Sequence, residues 1–88
     1  MNKYVFYTDP GHGWLEVPLR ELKALGIAKD ISGYSFIKDG LVYLEEDCDL
    51  AVFAQAKDKI KEEFDWKVVN TDHDATCRSY QRYDASSI

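Results

Sequence analysis

The chain has 88 residues, 45% of them hydrophobic and 14% aromatic, and eleven Lys and Arg against sixteen Asp and Glu leave a net charge of −5. That length allows one domain with one core, and the acidic balance speaks against general binding to a phosphate backbone. Cys48 and Cys77, in no C-x-x-C or zinc spacing, exclude a disulfide framework and a structural zinc site and read as reduced thiols.

Residues 3–8 form a β-branched and aromatic run, apolar on both faces, which predicts a central strand. Asp9-Pro10-Gly11 fits a turn in which the Asp side chain accepts from the following backbone, Pro presets φ and Gly tolerates positive φ. Residues 14–17 return as a short strand, with Leu15 and Val17 on one face and Trp14 and Glu16 on the other. His12, between Gly11 and Gly13, has a bare backbone that a ligand can approach closely.

Pro18 takes the first position of a short amphipathic helix, with Leu19, Leu22 and Leu25 at three-residue spacing and Gly26 as its stop. Ile27 and Ile31 enclose one further helical turn, which Ser32-Gly33 breaks. Asp39-Gly40 between the β-rich runs 34–38 and 41–45 selects a two-residue type I′ hairpin, with Ile37 facing Val42 and Phe36 facing Tyr43.

A helix is predicted over residues 50–63, capped by Asp47 or Asp49, with Lys57, Lys59 and Lys61 toward its negative end. Its apolar side comprises Leu50, Phe53, Ala54, Ala56, Ile60 and Phe64; Lys57 falls inside that side and is expected to snorkel. Residues 67–70 and 77–83 read as the last two strands, joined by a polar loop. Arg78, Tyr80 and Arg82 alternate along the final strand, and residues 84–88 form a flexible tail.

The order β-β-α-β-β-α-β-β predicts a single α+β domain over residues 1–83, a two-layer sandwich in which two helices cover an antiparallel sheet of about six strands. The chain contains no secretory signal pattern and no run approaching a membrane span, so a cytoplasmic protein without membrane contact is expected.

Four groups of residues could carry chemistry. His12 could act as a base oriented by Asp9 or Glu16, although no nucleophile stands at a recognisable spacing, and its simplest role is a turn residue in water. Asp72-His73-Asp74, with His12 or Asp9, could collect a divalent ion, but adjacent residues seldom point at one ion and the run also suits an ordinary polar loop. Glu45, Glu46, Asp47 and Asp49 crowd the start of the second helix, where capping accounts for one or two of them and the rest make an acidic contact surface. The cluster lacks the ligand spacing and glycine of a calcium loop, so no metal is assigned. Arg78, Tyr80 and Arg82 could grip a carboxylate or stack on a partner, and with His12, Trp14, Glu16 and Tyr34 they are the candidate binding residues.

The strings 6–18 (FYTDPGHGWLEVP), 43–49 (YLEEDCD) and 78–80 (RSY) resemble a family of small, uncharacterised proteins encoded by bacteriophages and bacterial mobile elements. The resemblance brings no activity and no catalytic residue; it implies a setting in which small accessory proteins bind and redirect a host protein. The expectation is a non-enzymatic binding protein without cofactor, engaging a host protein through Trp14, His12 and the 78–83 strand or through the acidic cluster. An inhibitor of a host defence or nucleic-acid-handling system fits the charge, whereas direct nucleic-acid binding does not. The competing class is a small-molecule or nucleotide-binding protein, or a hydrolase, with a site joining His12, Glu16, Tyr34 and Arg78. Pairing of the terminal strand's exposed edge would give a homodimer.

Overall fold

A computed structural model of the chain describes residues 2–88. In chain order the elements are β1 (Asn2–Thr8), β2 (Gly13–Pro18), α1 (Leu19–Ala24), a 3-10 turn (Ala28–Asp30), β3 (Phe36–Lys38), β4 (Leu41–Glu45), α2 (Asp49–Lys59), β5 (Phe64–Asn70), a 3-10 turn (Thr76–Ser79), β6 (Gln81–Arg82) and a 3-10 turn (Ala85–Ser87). They form a small α+β domain whose sheet runs β5-β1-β2-β4-β3-β6.

The local signals produce the local structure. Asp39 and Gly40 both have positive φ (53° and 79°), as a type I′ turn requires, and Phe36 and Ile37 lie opposite Tyr43 and Val42. Gly26 closes α1 at φ 76°, where its N–H reaches Lys23 O and the Ile27 N–H reaches Leu22 O, both at 3.0 Å, a complete Schellman end. Pro18 precedes α1 rather than opening it, because its extended backbone still pairs with Leu41 as the last residue of β2.

Leu15, Val17, Val42 and Leu44 present one face of the sheet to Leu22 of α1 and Phe53 of α2, and all six are completely buried. Burying a side chain of this size contributes about 1.5–3 kcal/mol, so these residues anchor the helical layer. Trp14, Tyr43, Ala75 and Cys77 form a second cluster on the opposite face, over which the 71–80 segment is laid.

The sheet is mixed, not antiparallel throughout. β5 pairs with β1 in parallel, from Asn2↔Phe64 to Thr8↔Asn70, because α2 carries the chain across the sheet from β4 to the far edge and delivers it running in the same direction as β1. Helix α2 stops at Lys59; Ile60 is half exposed rather than core, and Lys61, at φ 55°, turns the chain so that Phe64 opens β5. Lys57 does not snorkel: it is buried, with Nζ 2.9 Å from Glu21 and in contact with Glu62, while the Tyr4 hydroxyl donates to the same Glu21 carboxylate at 2.7 Å.

The strand expected over 77–83 shrinks to β6, and it pairs with β3 at the edge opposite β5. Its first half is a 3-10 turn because Cys77 and Ala75 are drawn into the cluster under Trp14 and Tyr43. Residues 84–88, expected to fray, carry a 3-10 turn in which Asp84 accepts from the Ser86 N–H, and Ala85 and Ile88 rest on the main core. No helix among the described residues is long and apolar enough to cross a membrane.

Candidate functional site

The turn between β1 and β2 is built on one carboxylate. Asp9 Oδ1 accepts from the N–H groups of Gly11 and His12 at 3.0 Å, which fixes the turn. Its Oδ2 accepts from Ala75 N at 2.9 Å and from Arg78 Nε at 2.5 Å, and Arg78 Nη2 returns to Oδ1 at 3.0 Å. The carboxylate thus fastens the first turn of the chain to the segment that crosses the sheet near the C-terminal end. With the guanidinium and three N–H groups around it, the Asp9 carboxyl is held far below the ordinary carboxylate range, Arg78 contributing most.

Held in this way, the Arg78 guanidinium lies 4.8 Å from the centre of the Trp14 ring. The His12 ring centre is 6.1 Å from that of the indole. Trp14 is only 2% exposed, so it forms the floor of the site and not an outward contact, and its indole N–H has no acceptor among the described residues. Pairing of Trp14 with Glu45 across β2 and β4 brings the start of the acidic run to His12: Nδ1 lies 3.3 Å from Glu45 Oε2 and 3.7 Å from Asp47 Oδ2. The groups facing the imidazole are therefore Glu45 and Asp47, not the expected Asp9 or Glu16.

Around this floor an open cleft of about 330 Å³ joins His12, Trp14, Tyr34, Phe36, Glu45, Asp47, Arg78 and Arg82. Arg82 donates to Gly33 O at 2.9 Å and lies over the Phe36 ring, so it reaches the cleft from β6 with its guanidinium held in place by a neutral acceptor and an aromatic face. Tyr34, 66% exposed, stands at the rim.

Of the candidate binding residues, His12, Trp14, Tyr34, Arg78 and Arg82 share this cleft, and two do not. Glu16 lies further along β2, opposite Tyr43 on β4, whose hydroxyl is pushed well above its ordinary value by burial and the nearby Glu16 carboxylate. Tyr80 lines a separate cavity of about 320 Å³ with Tyr7, Tyr43 and Cys77. The alternation that groups Tyr80 with the arginines holds for a strand and fails in a 3-10 turn.

The acidic run also divides. Asp49 is buried and accepts from Ser32 N at 3.0 Å, Ser32 Oγ at 2.7 Å and Ser35 Oγ at 2.5 Å, so it secures the entry to β3 and is not a contact surface. Neither expected Asp caps α2: its N-cap position is Cys48, without a side-chain bond. Glu45 takes the N–H groups of Asp47 and Cys48 at 2.9 and 3.1 Å and is itself buried. Glu46 and Asp47 remain exposed, Asp47 at 71% of its side chain.

His12, Glu45 and Asp47 offer one ligand atom each within 4.8 Å of one another, the one such trio among the described residues. An ion held there would keep a largely aqueous shell, given the exposure of Asp47. His73 lies in the Tyr7 cavity with Asp72 4.0 Å away, so the 72–74 run adds nothing to the trio. Asp9 and Phe36 were not among the candidate binding residues. For Asp9 a signal existed, since its turn engages one carboxylate oxygen and leaves the other for a distant donor.

No protein-family model, curated protein or solved structure matches the chain.

Proposed function

We propose that the chain is a small binding protein that docks on a basic region of a protein partner through the His12 cleft and the acidic turn beside it. The observation that carries this reading is the charge left over at the cleft. Arg78 is neutralised by Asp9, and the one guanidinium left, Arg82, is set against Glu45 and the exposed Glu46 and Asp47. The balance is negative, and a cation placed between those carboxylates and the exposed Tyr34 ring meets both an anion and an aromatic face.

In this reading the partner is a protein of a bacterial host, and the chain is an accessory factor of phage type that redirects it. Capture from host lysate at physiological salt by the wild-type chain, lost in both Tyr34→Ala and Asp47→Lys, is the expected result. Capture that those substitutions leave unchanged, or no capture, overturns the reading. The cleft volume of about 330 Å³ favours a second reading as a small-molecule or nucleotide site. Thermal shifts across nucleotides and divalent ions separate the two, since a ligand at 100 times its Kd stabilises by about 2.7 kcal/mol.

A further inference from the structure

The sheet has two edges of very different kinds. β6 closes one with two residues, while β5 leaves seven residues on the other, among them Trp66, Val68 and Val69 at 37, 51 and 39% exposure. A long exposed strand with apolar side chains is a template for another strand.

The direction of its backbone groups follows from the pairing with β1. Thr8 lies opposite Asn70, and its carbonyl accepts from the Thr71 N–H at 2.9 Å. In a parallel ladder a residue bonds to the two neighbours of the residue opposite it, so residues 65, 67, 69 and 71 spend their backbone groups on β1. Phe64, Trp66, Val68 and Asn70 direct theirs to the open edge. Consistently, the Trp66 N–H is taken only by the adjacent Asp65 side chain, at 2.7 Å.

We infer that β5 pairs antiparallel with β5 of a second copy about a two-fold axis at Trp66, joining two six-stranded sheets into one. Outward-directed residues must face one another in a hydrogen-bonded pair, which limits the register to even steps. Centring on Trp66 sets Trp66 against Trp66 and Phe64 against Val68 on the helix side. On the other side it sets Asp65 against Lys67, and by symmetry Lys67 against Asp65. These are non-hydrogen-bonded positions, where side chains approach most closely. One step away in either direction, the register faces Lys67 with Lys67 or Asp65 with Asp65. A step further toward the carboxyl end overlaps as many strand residues but leaves Lys67 opposite Val69, without the ion pairs.

Charge therefore selects one register, and Lys67 shields the open edge against foreign strands while matching its own copy. The Trp66 ring packs on Phe6 and Phe64, ring centres 5.5 and 5.9 Å away, on the helix side of the sheet.

Sedimentation equilibrium over a wide concentration series tests this. The wild-type chain is expected to dimerise reversibly and weakly, since a single strand pair is a small interface. Lys67→Asp turns both attractive pairs into repulsive ones and should weaken the dimer at least about tenfold. The double variant D65K/K67D restores opposite charges in the same register and should recover the dimer, which also shows that the fold survives. A wild-type chain that stays monomeric overturns the inference. So does a dimer that Lys67→Asp leaves unchanged, or one that the double variant fails to recover.

Discussion

Replacing Asp9 by Ala strips the acceptor from three N–H groups and a guanidinium at once. Gly11 and His12 are exposed, and water can take their N–H groups at little cost. Ala75 is buried, so its abandoned N–H costs about 1–3 kcal/mol. Loss of the bidentate ion pair adds about 1 kcal/mol, discounted because Arg78 is one-third exposed. The sum, about 2–4 kcal/mol, lowers Tm by roughly 10–25 °C in a domain of this length. The pH dependence carries its own sign. The folded carboxyl is depressed far below the unfolded value of about 3.9, so its contribution is complete above about pH 5 and is lost progressively as pH falls through 4 and below. Calorimetry of wild type and Asp9→Ala from pH 7 to about 3 should show a gap that narrows on acidification. A loss under about 1 kcal/mol at pH 7, or a gap that does not narrow, refutes the role given to this carboxylate.

Three further outcomes are expected. A Cβ at Gly13 would stand 2.4 Å from Phe6 Cζ, against 3.0 Å from the tip of the Arg78 side chain, Nη2, at Gly11. Gly13→Ala should thus cost about 1–3 kcal/mol in urea unfolding, and Gly11→Ala clearly less. Lys57→Ala removes the buried cation that the partly exposed Glu21 and Glu62 share, a loss of about 1–3 kcal/mol by the same assay, and a neutral result would mean that Lys57 reaches water. Cys77 is buried beside Asp9 and its thiol is pushed up to about 12, mainly by burial. At neutral pH a thiol reagent should therefore label Cys48 first and Cys77 only on unfolding, and equal rates would contradict the burial.

Short-range features were legible because a few adjacent residues decide them: Asp39-Gly40 fixed a hairpin and its register, and Gly26 ended a helix. The proximity of His12 and Trp14 to Arg78 and Arg82 was also anticipated, though through a strand that is mostly a 3-10 turn. Parallel pairing of β5 was not legible, since residues 64–70 suit any edge and only the path of α2 over the sheet decides where they land. Burial of Lys57 depends on Glu21, thirty-six residues earlier, and sequence spacing within α2 holds no trace of that partner. The meeting of His12 with Glu45 is another long-range product: it needs β2 and β4 to be neighbours with β3 outside them.

Chemical-shift mapping on the labelled chain during titration with a lysine-rich peptide addresses the cleft most directly. Saturable perturbations gathered at His12, Tyr34, Asp47, Cys48 and Arg82, abolished in Asp47→Lys, are the expected result. Shifts that scatter over the acidic surface or centre on the Tyr7 cavity, or their persistence in Asp47→Lys, would contradict a binding role for the His12 cleft.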